Sequence, residues 1–201
     1  MPRWEPGAVG RLQAAAFELF AEQGFERTTV AEIAQRAGLT KRTFFNHFAD
    51  KREVLFNPVS DMQREIVTRE IVACPDELSP LDAVVHGLLV AADTMFEERH
   101  TAVVRRQEII EATPELQERE LRKRAALTEA IADALRPRCA DSDTAVLTAR
   151  AGLLVHQTAM QRWTRTTENR PLRDFLAEAL LDLRGVTAQT TDQPVVSPQI
   201  T

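Results

Sequence analysis

Apolar residues recur at helical spacing along most of the chain, so the first question is how many amphipathic helices it holds and which faces they cover. Over residues 8–23, Val9, Leu12, Ala16, Leu19 and Phe20 form one stripe, and Gly24 ends the run. The stretch 28–51, TTVAEIAQRAGLTKRTFFNHFADK, reads as two short helices and a tight turn. In its first helix Val30, Ile33, Ala34 and Ala37 share a narrow apolar face, with Thr28 or Thr29 as cap. Gly38 follows the last periodic residue, where a helix end favours left-handed backbone angles. Thr40 then caps residues 41–48. There Phe44 and Phe48, four apart, point inward, while Lys41, Arg42, Thr43, Asn46 and His47 cover the other side. That arrangement is a helix-turn-helix, whose second helix enters the major groove of DNA.

Beyond it, residues 51–72 read as one helix kinked at Pro58, or as two helices separated near Asn57 and Pro58. Residues 73–80 are a linker by their proline and acidic content. Leu81, Val84, Val85, Leu88, Leu89, Ala92 and Phe96 make 80–99 the central core helix. A shorter helix, 101–112, turns Val103, Val104 and Ile110 inward. Thr113 and Pro114 start the next, 114–136, whose charged run ERELRKR reads as a solvated face above Leu116, Leu121, Leu127, Ile131 and Leu135. Between 145 and 163 apolar residues occupy nearly every side, so that helix needs cover on two faces. The last helix, 171–184, carries Leu172, Phe175, Leu176, Ala179, Leu180 and Leu183 in a stripe. One face on the protomer and another on a second copy would satisfy both helices. Leu153, Gln157, Leu172, Phe175, Leu176 and Leu180 are the candidate interface residues of a two-fold four-helix bundle. The expected fold is all-α with roughly nine helices. A three-helix DNA-binding domain at 1–52 precedes an effector-binding and dimerisation domain at 53–185 and a disordered tail at 186–201.

Composition supports this and removes other classes. The chain has 201 residues, 44% of them hydrophobic, with no Tyr and seven Gly, which suits helical cores rather than a turn-rich β protein. Its longest apolar stretch falls far short of a membrane span, and the start lacks the pattern of a secretory signal. Cys74 and Cys139 are isolated, as in a reducing, cytoplasmic setting. A net charge of −5 looks wrong for a DNA binder until it is divided. Residues 1–52 hold eight Lys and Arg against six acids, hence +2, leaving −7 for the remainder. Lys41, Arg42, Lys51 and Arg52 cluster at the second helix of the motif, and local sign governs attraction to phosphate. Residues 1–7 read as a loose arm in which Arg3 and Trp4 are further candidates for DNA contact.

The run FELFAEQGFERTTVAEIAQRAGLTKRTFFNHFADKREVL resembles the N-terminal domain of the tetracycline-repressor (TetR) family of bacterial regulators over residues 9–56. The resemblance implies a homodimeric DNA-binding regulator, with Thr29, Thr40, His47 and Lys51 positioning the phosphate backbone. Lys41, Arg42, Thr43 and Asn46 are candidates for base edges, Arg and Lys favouring guanine and Asn favouring adenine. Members commonly carry Tyr where this chain has Phe45, which packs against the sugar-phosphate wall but donates no hydrogen bond. The segment 103–136 is more loosely similar to members associated with acyl-CoA-like ligands. Phe96, Val103, Ile110, Met160 and Trp163 are then candidates for an apolar tunnel, with Arg105 and Arg106 at its mouth. The alternative is ordinary core for the former and pairing with Glu108, Glu111 or solvent for the two arginines. His86, His100 and His156 lie too far apart in sequence for a metal site, and no cofactor motif is present. Nucleophile, base and phosphate-loop patterns of enzymes are absent as well. The sequence thus points to a repressor released from its operator by a small hydrophobic effector. The alternative is an architectural DNA-binding dimer without one.

Overall fold

The computed structural model describes residues 7–96 and 99–188; the first three residues of the expected tail, 186–188, are helical, while 189–201, like Arg3 and Trp4, lie outside the described residues. Among these it contains nine α-helices, with no strand: α1 (Ala8–Gln23), α2 (Val30–Arg36), α3 (Lys41–His47), α4 (Val59–Ala73), α5 (Pro80–Met95), α6 (His100–Glu111), α7 (Pro114–Leu135), α8 (Ser142–Arg165) and α9 (Leu172–Ala188). No helix among the described residues is long and apolar enough to cross a membrane.

Two apolar cores result. The first is the head, where Leu12, Ala16, Leu19 and Phe20 of α1 meet Phe25, Ile33, Phe44 and Phe48. It does not end at residue 52. A 3-10 turn, Arg52–Leu55, drives Val54, Leu55 and Phe56 into the same core, and Ile110 and Leu116 close it from α6 and α7. The expected boundary therefore falls inside the head's packing. The chain breaks at Asn57 and Pro58 into this turn and a separate α4, the two-helix alternative rather than one kinked rod.

The second core is a helical bundle around α5. Val84, Val85, Leu88 and Ala92 pack against Ile66, Val67 and Ile71 of α4, against Ala149 and Leu153 of α8, and towards Phe175 and Leu176 of α9. Burying one such Leu or Phe side chain contributes roughly 1.5–3 kcal/mol. Small residues allow two of these approaches. A Cβ on Gly152 would lie 2.4 Å from Val84 Cγ1, and one on Gly87 would lie 2.9 Å from the carbonyl oxygen of Val67. Local signals start the helices: Ser79 accepts from Asp82 N ahead of Pro80 in α5, and Asp141 accepts from Thr144 N at 2.7 Å in α8. The end of α4 is closed from outside. Arg138, which follows α7, donates to the carbonyls of Cys74 and Pro75 and, at 3.4 Å, Ile71. The Ile71 carbonyl is one that the last turn of a helix leaves unpaired, and those of Cys74 and Pro75 directly follow the helix.

Two expectations on surface and core change here. Leu121, placed beneath α7's charged face, is exposed. In the run ERELRKR it is instead Arg119, Glu120 and Lys123, with Arg124 beside them, that turn towards neighbouring helices.

Candidate nucleic-acid interface

The motif is built by its caps and its buried face. Thr29 accepts from Glu32 N at 3.2 Å while the Glu32 carboxylate takes the N–H of Thr29 at 2.8 Å, a reciprocal capping box that fixes the start of α2. Thr28, the other candidate cap, is buried and donates to Gly24 O at 2.8 Å. The turn hinges on Gly38, at φ 66°, with Leu39 N donating to Ala34 O at 2.8 Å. Thr40 accepts from Thr43 N at 3.1 Å and starts α3. Phe44 and Phe48 are both buried, 5.3 Å between ring centres, and lock α3 to the head.

This leaves the opposite face of α3 outward. Lys41, Arg42, Phe45, Asn46 and His47 are exposed, and Thr43 is half-buried beside the Thr40 hydroxyl at 2.9 Å. Lys41, Arg42 and Asn46 have no hydrogen-bond or ion-pair partner among the described residues. Their donors are available to a ligand. Phe45, 55% exposed, stands edge-on to Phe44, so a large apolar ring is presented next to those polar groups.

Two basic residues of the expected cluster are otherwise engaged. Lys51 Nζ donates to the carbonyls of Phe25 at 2.7 Å and Thr28 at 3.0 Å and sits 3.9 Å from the Phe25 ring centre. It staples the loop between α1 and α2 rather than facing a phosphate. Arg52 pairs with Asp50 at 2.6 Å and Glu115 at 3.0 Å, and those carboxylates hold its guanidinium above its ordinary value.

The expected ligand residues divide. Phe96, Val103, Met160 and Trp163 belong to, or pack against, the bundle core. Phe96 and Trp163 stand edge-to-face at 6.3 Å, and Trp163 Nε1 donates to Arg170 O. Ile110, by contrast, sits in the head's core. Arg105 is exposed, and Arg106 is no mouth residue. It donates to Leu55 O at 2.9 Å, lies 5.0 Å from the Phe56 ring centre and faces Glu120 at 3.4 Å. Burial pulls its guanidinium below the ordinary value, with Glu120 opposing. Of the expected interface residues, Leu172, Phe175 and Leu176 are buried within this chain's own core, as is Leu153; Leu180 is half-buried and Gln157 is exposed. The outward apolar residues of α8 and α9 are Leu147, Leu154, Leu181 and Val186, each more than half exposed.

Sequence reasoning missed the junction between head and bundle. Glu53, only 2% exposed, accepts from Arg119 Nε at 2.6 Å and faces Lys123 Nζ at 3.3 Å, while Lys123 donates to Asn57 Oδ1 at 2.9 Å. Nearby, His156 meets Gln63 at 3.1 Å between α8 and α4; burial first, and the charge of Arg124 second, push its imidazole down to about 4. A cleft of about 220 Å³ opens between α4 and α7, lined by Ser60, Asp61, Arg64, Arg119, Arg122, Lys123, Ala126 and Leu127. The spacing of four between Arg119 and Lys123 was the available signal that both reach one neighbour. Among the described residues no group of three or more His, Cys, Asp or Glu side chains is arranged to hold a metal ion.

Fold, caps and outward α3 define a helix-turn-helix DNA-binding regulator, and comparison with known proteins narrows the class. Residues 12–57 match the bacterial regulatory proteins of the tetR family, and residues 78–188 match the MftR C-terminal domain. The chain belongs to the TetR family of bacterial regulatory proteins. The putative mycofactocin biosynthesis transcriptional regulator MftR of Mycobacterium tuberculosis is 30% identical over 118 residues, 58% of each chain. The transcriptional repressor KstR2 of the same species is 30% identical over 95 residues, 47% of each. The chain thus spans about half the length of these relatives. Among solved structures, a TetR-family regulator from Syntrophomonas wolfei superposes with a TM-score of 0.62 at 13% identity, covering 94% of this chain and 98% of that one. FadR from Bacillus subtilis, in complex with stearoyl-CoA, gives 0.58 at 14% identity, covering 87% and 96%. These likenesses concern the fold.

Proposed function

We propose that the protein is a homodimeric repressor that reads an operator through α3 and is released by a hydrophobic, acyl-CoA-like effector. The observation that carries the reading is the division of α3, with Phe44 and Phe48 fixed inside while Lys41, Arg42 and Asn46 stay unpaired outside. Arg42 and Lys41 offer donors to guanine and Asn46 a donor–acceptor pair to adenine, while Thr29, Thr40 and His47 meet phosphate. Two heads must be held about 34 Å apart to meet successive major grooves, which one chain cannot do. Leu147, Leu154 and Gln157 of α8 and Leu181 of α9 form the outward stripe that supports two-fold pairing, each patch meeting its own copy. Repressor function and the effector class draw support from the KstR2 likeness and from the acyl-CoA bound by the FadR of similar fold. Selecting bound sequences from random duplexes, then titrating long-chain acyl-CoAs against the selected complex, tests the reading. A palindromic site released by acyl-CoA supports it; selection without sequence preference overturns it, and release by none of them leaves the architectural dimer.

A further inference from the structure

The cleft between α4 and α7 has a composition that a mere surface groove does not need. Four cationic side chains, Arg64, Arg119, Arg122 and Lys123, line it against one carboxylate, Asp61. The Ser60 hydroxyl stands at its rim and Ala126 and Leu127 line its apolar part. The first turn of α4 borders it, where the helix dipole favours an anion. Each cation has one internal carboxylate: Arg64 pairs with Asp61 at 3.2 Å, Arg122 with Glu118, and Arg119 and Lys123 share Glu53. A guanidinium has five N–H donors, so a single carboxylate leaves part of each fork open. The volume, about 220 Å³, is several times the ~30 Å³ share of one water in the liquid.

We propose that this cleft binds a phosphate-class polyanion, a group of two or more linked or neighbouring phosphates, and that the ligand draws Arg119 and Lys123 away from Glu53. Arg64 and Arg122 supply open guanidinium forks at the outer edge, matched to phosphate oxygens. Arg119 and Lys123 are shared, because the same two heads line the cleft and neutralise the buried carboxylate of the head domain. Occupancy at the cleft therefore weakens the tie between bundle and DNA-reading head. Only that last consequence rests on the regulator reading. The phosphates of an acyl-CoA and those of a free phosphorylated metabolite share this chemistry.

The test is calorimetric titration of the full chain with inorganic pyrophosphate at constant ionic strength, with acetate as control, on wild type and on Arg64→Ala/Arg122→Ala. Both residues are exposed and carry no core packing, so circular dichroism should be unchanged. One saturable site per chain, weakened at least tenfold in the variant, is expected. No binding, or equal binding by both proteins, overturns the proposal. Coenzyme A without an acyl chain separates the sources: binding lost in the variant identifies a CoA end, whereas pyrophosphate binding without CoA binding identifies a free metabolite. If palmitoyl-CoA releases DNA equally from wild type and variant while pyrophosphate fails to bind, the cleft is refuted and the effector reading stands. If pyrophosphate binds as expected and no acyl-CoA releases DNA, the reverse holds.

Discussion

Replacing Glu53 tests the junction most directly, because the cost of each partner's loss differs in a calculable way. Glu53 is almost wholly buried, whereas Arg119 and Lys123 keep 33% and 22% of their side chains exposed. Glu53→Ala therefore frees two cations that turn to water, losing two charge-assisted bonds but stranding nothing. Bonds to charged groups contribute roughly 1.5–3 kcal/mol each. Re-solvation of the freed heads discounts that sum, so the expected loss is about 2 kcal/mol. Removing the cations instead, with Arg119→Ala/Lys123→Ala, leaves a buried carboxylate unpaired. Breaking a buried pair in that direction costs about 3–5 kcal/mol. Urea denaturation should give this order at unchanged m-value, and a thermal scan should fall by roughly 4–8 °C for Glu53→Ala at this chain length. The triple variant should be more stable than the double, since the stranded charge is gone. A double variant no less stable than Glu53→Ala, or a Glu53→Ala within 0.5 kcal/mol (about the error of a surface change) of wild type, refutes the reasoning.

Three further outcomes follow from the geometry. Arg42→Ala should cost roughly 1–3 kcal/mol on the selected operator and far less on random DNA, whereas Lys51→Ala should lower the head's thermal stability while leaving the salt slope of binding unchanged, both read by titration and melting. Leu181→Arg should yield folded monomers in sedimentation; Leu176→Arg, within the chain's own core, should instead unfold the bundle, as circular dichroism would report. Because the His156 imidazole is held near 4 in the fold and near 6.5 when unfolded, the unfolded chain binds the extra proton between these values. Stability should be level above about pH 6.5 and fall as pH drops towards 4, by at most roughly 3 kcal/mol, and denaturation of His156→Gln should lack that slope.

The helix-turn-helix itself was legible because its signals are local. Gly38, Thr40 and the Phe44/Phe48 pair act within one or two turns, whereas the choice between Thr28 and Thr29 as cap is settled by the reciprocal bond to Glu32. The bundle's helices were equally plain from their period, but their partners were not. α8 and α9 are apolar on more than one side, so period alone does not say whether Leu176 or Leu181 meets the chain's own core. The junction was hidden for a different reason. Glu53 and Arg119 are 66 residues apart, and an acidic residue beside a helix turn resembles any solvated charge until its cations arrive. Lys51 misled in the same way: a basic residue near DNA-facing ones looks free until the carbonyls of Phe25 and Thr28 are found beneath it.

The bonds of Arg138 to the carbonyls at and just beyond the end of α4 fix that end of the helix. Its far end, at Pro58, adjoins the turn that enters the head's core. Fifteen residues at 1.5 Å each give an arm of about 22 Å. A tilt of only about 5° about the clamped end would move the far end by about 2 Å, and the two-fold axis of the proposed dimer would double that between heads. In the proposed dimer, such a tilt would change the spacing at which the two heads meet successive grooves. Arg138→Ala would remove the clamped end's polar tie and leave it held by the packing of Ile66, Val67 and Ile71.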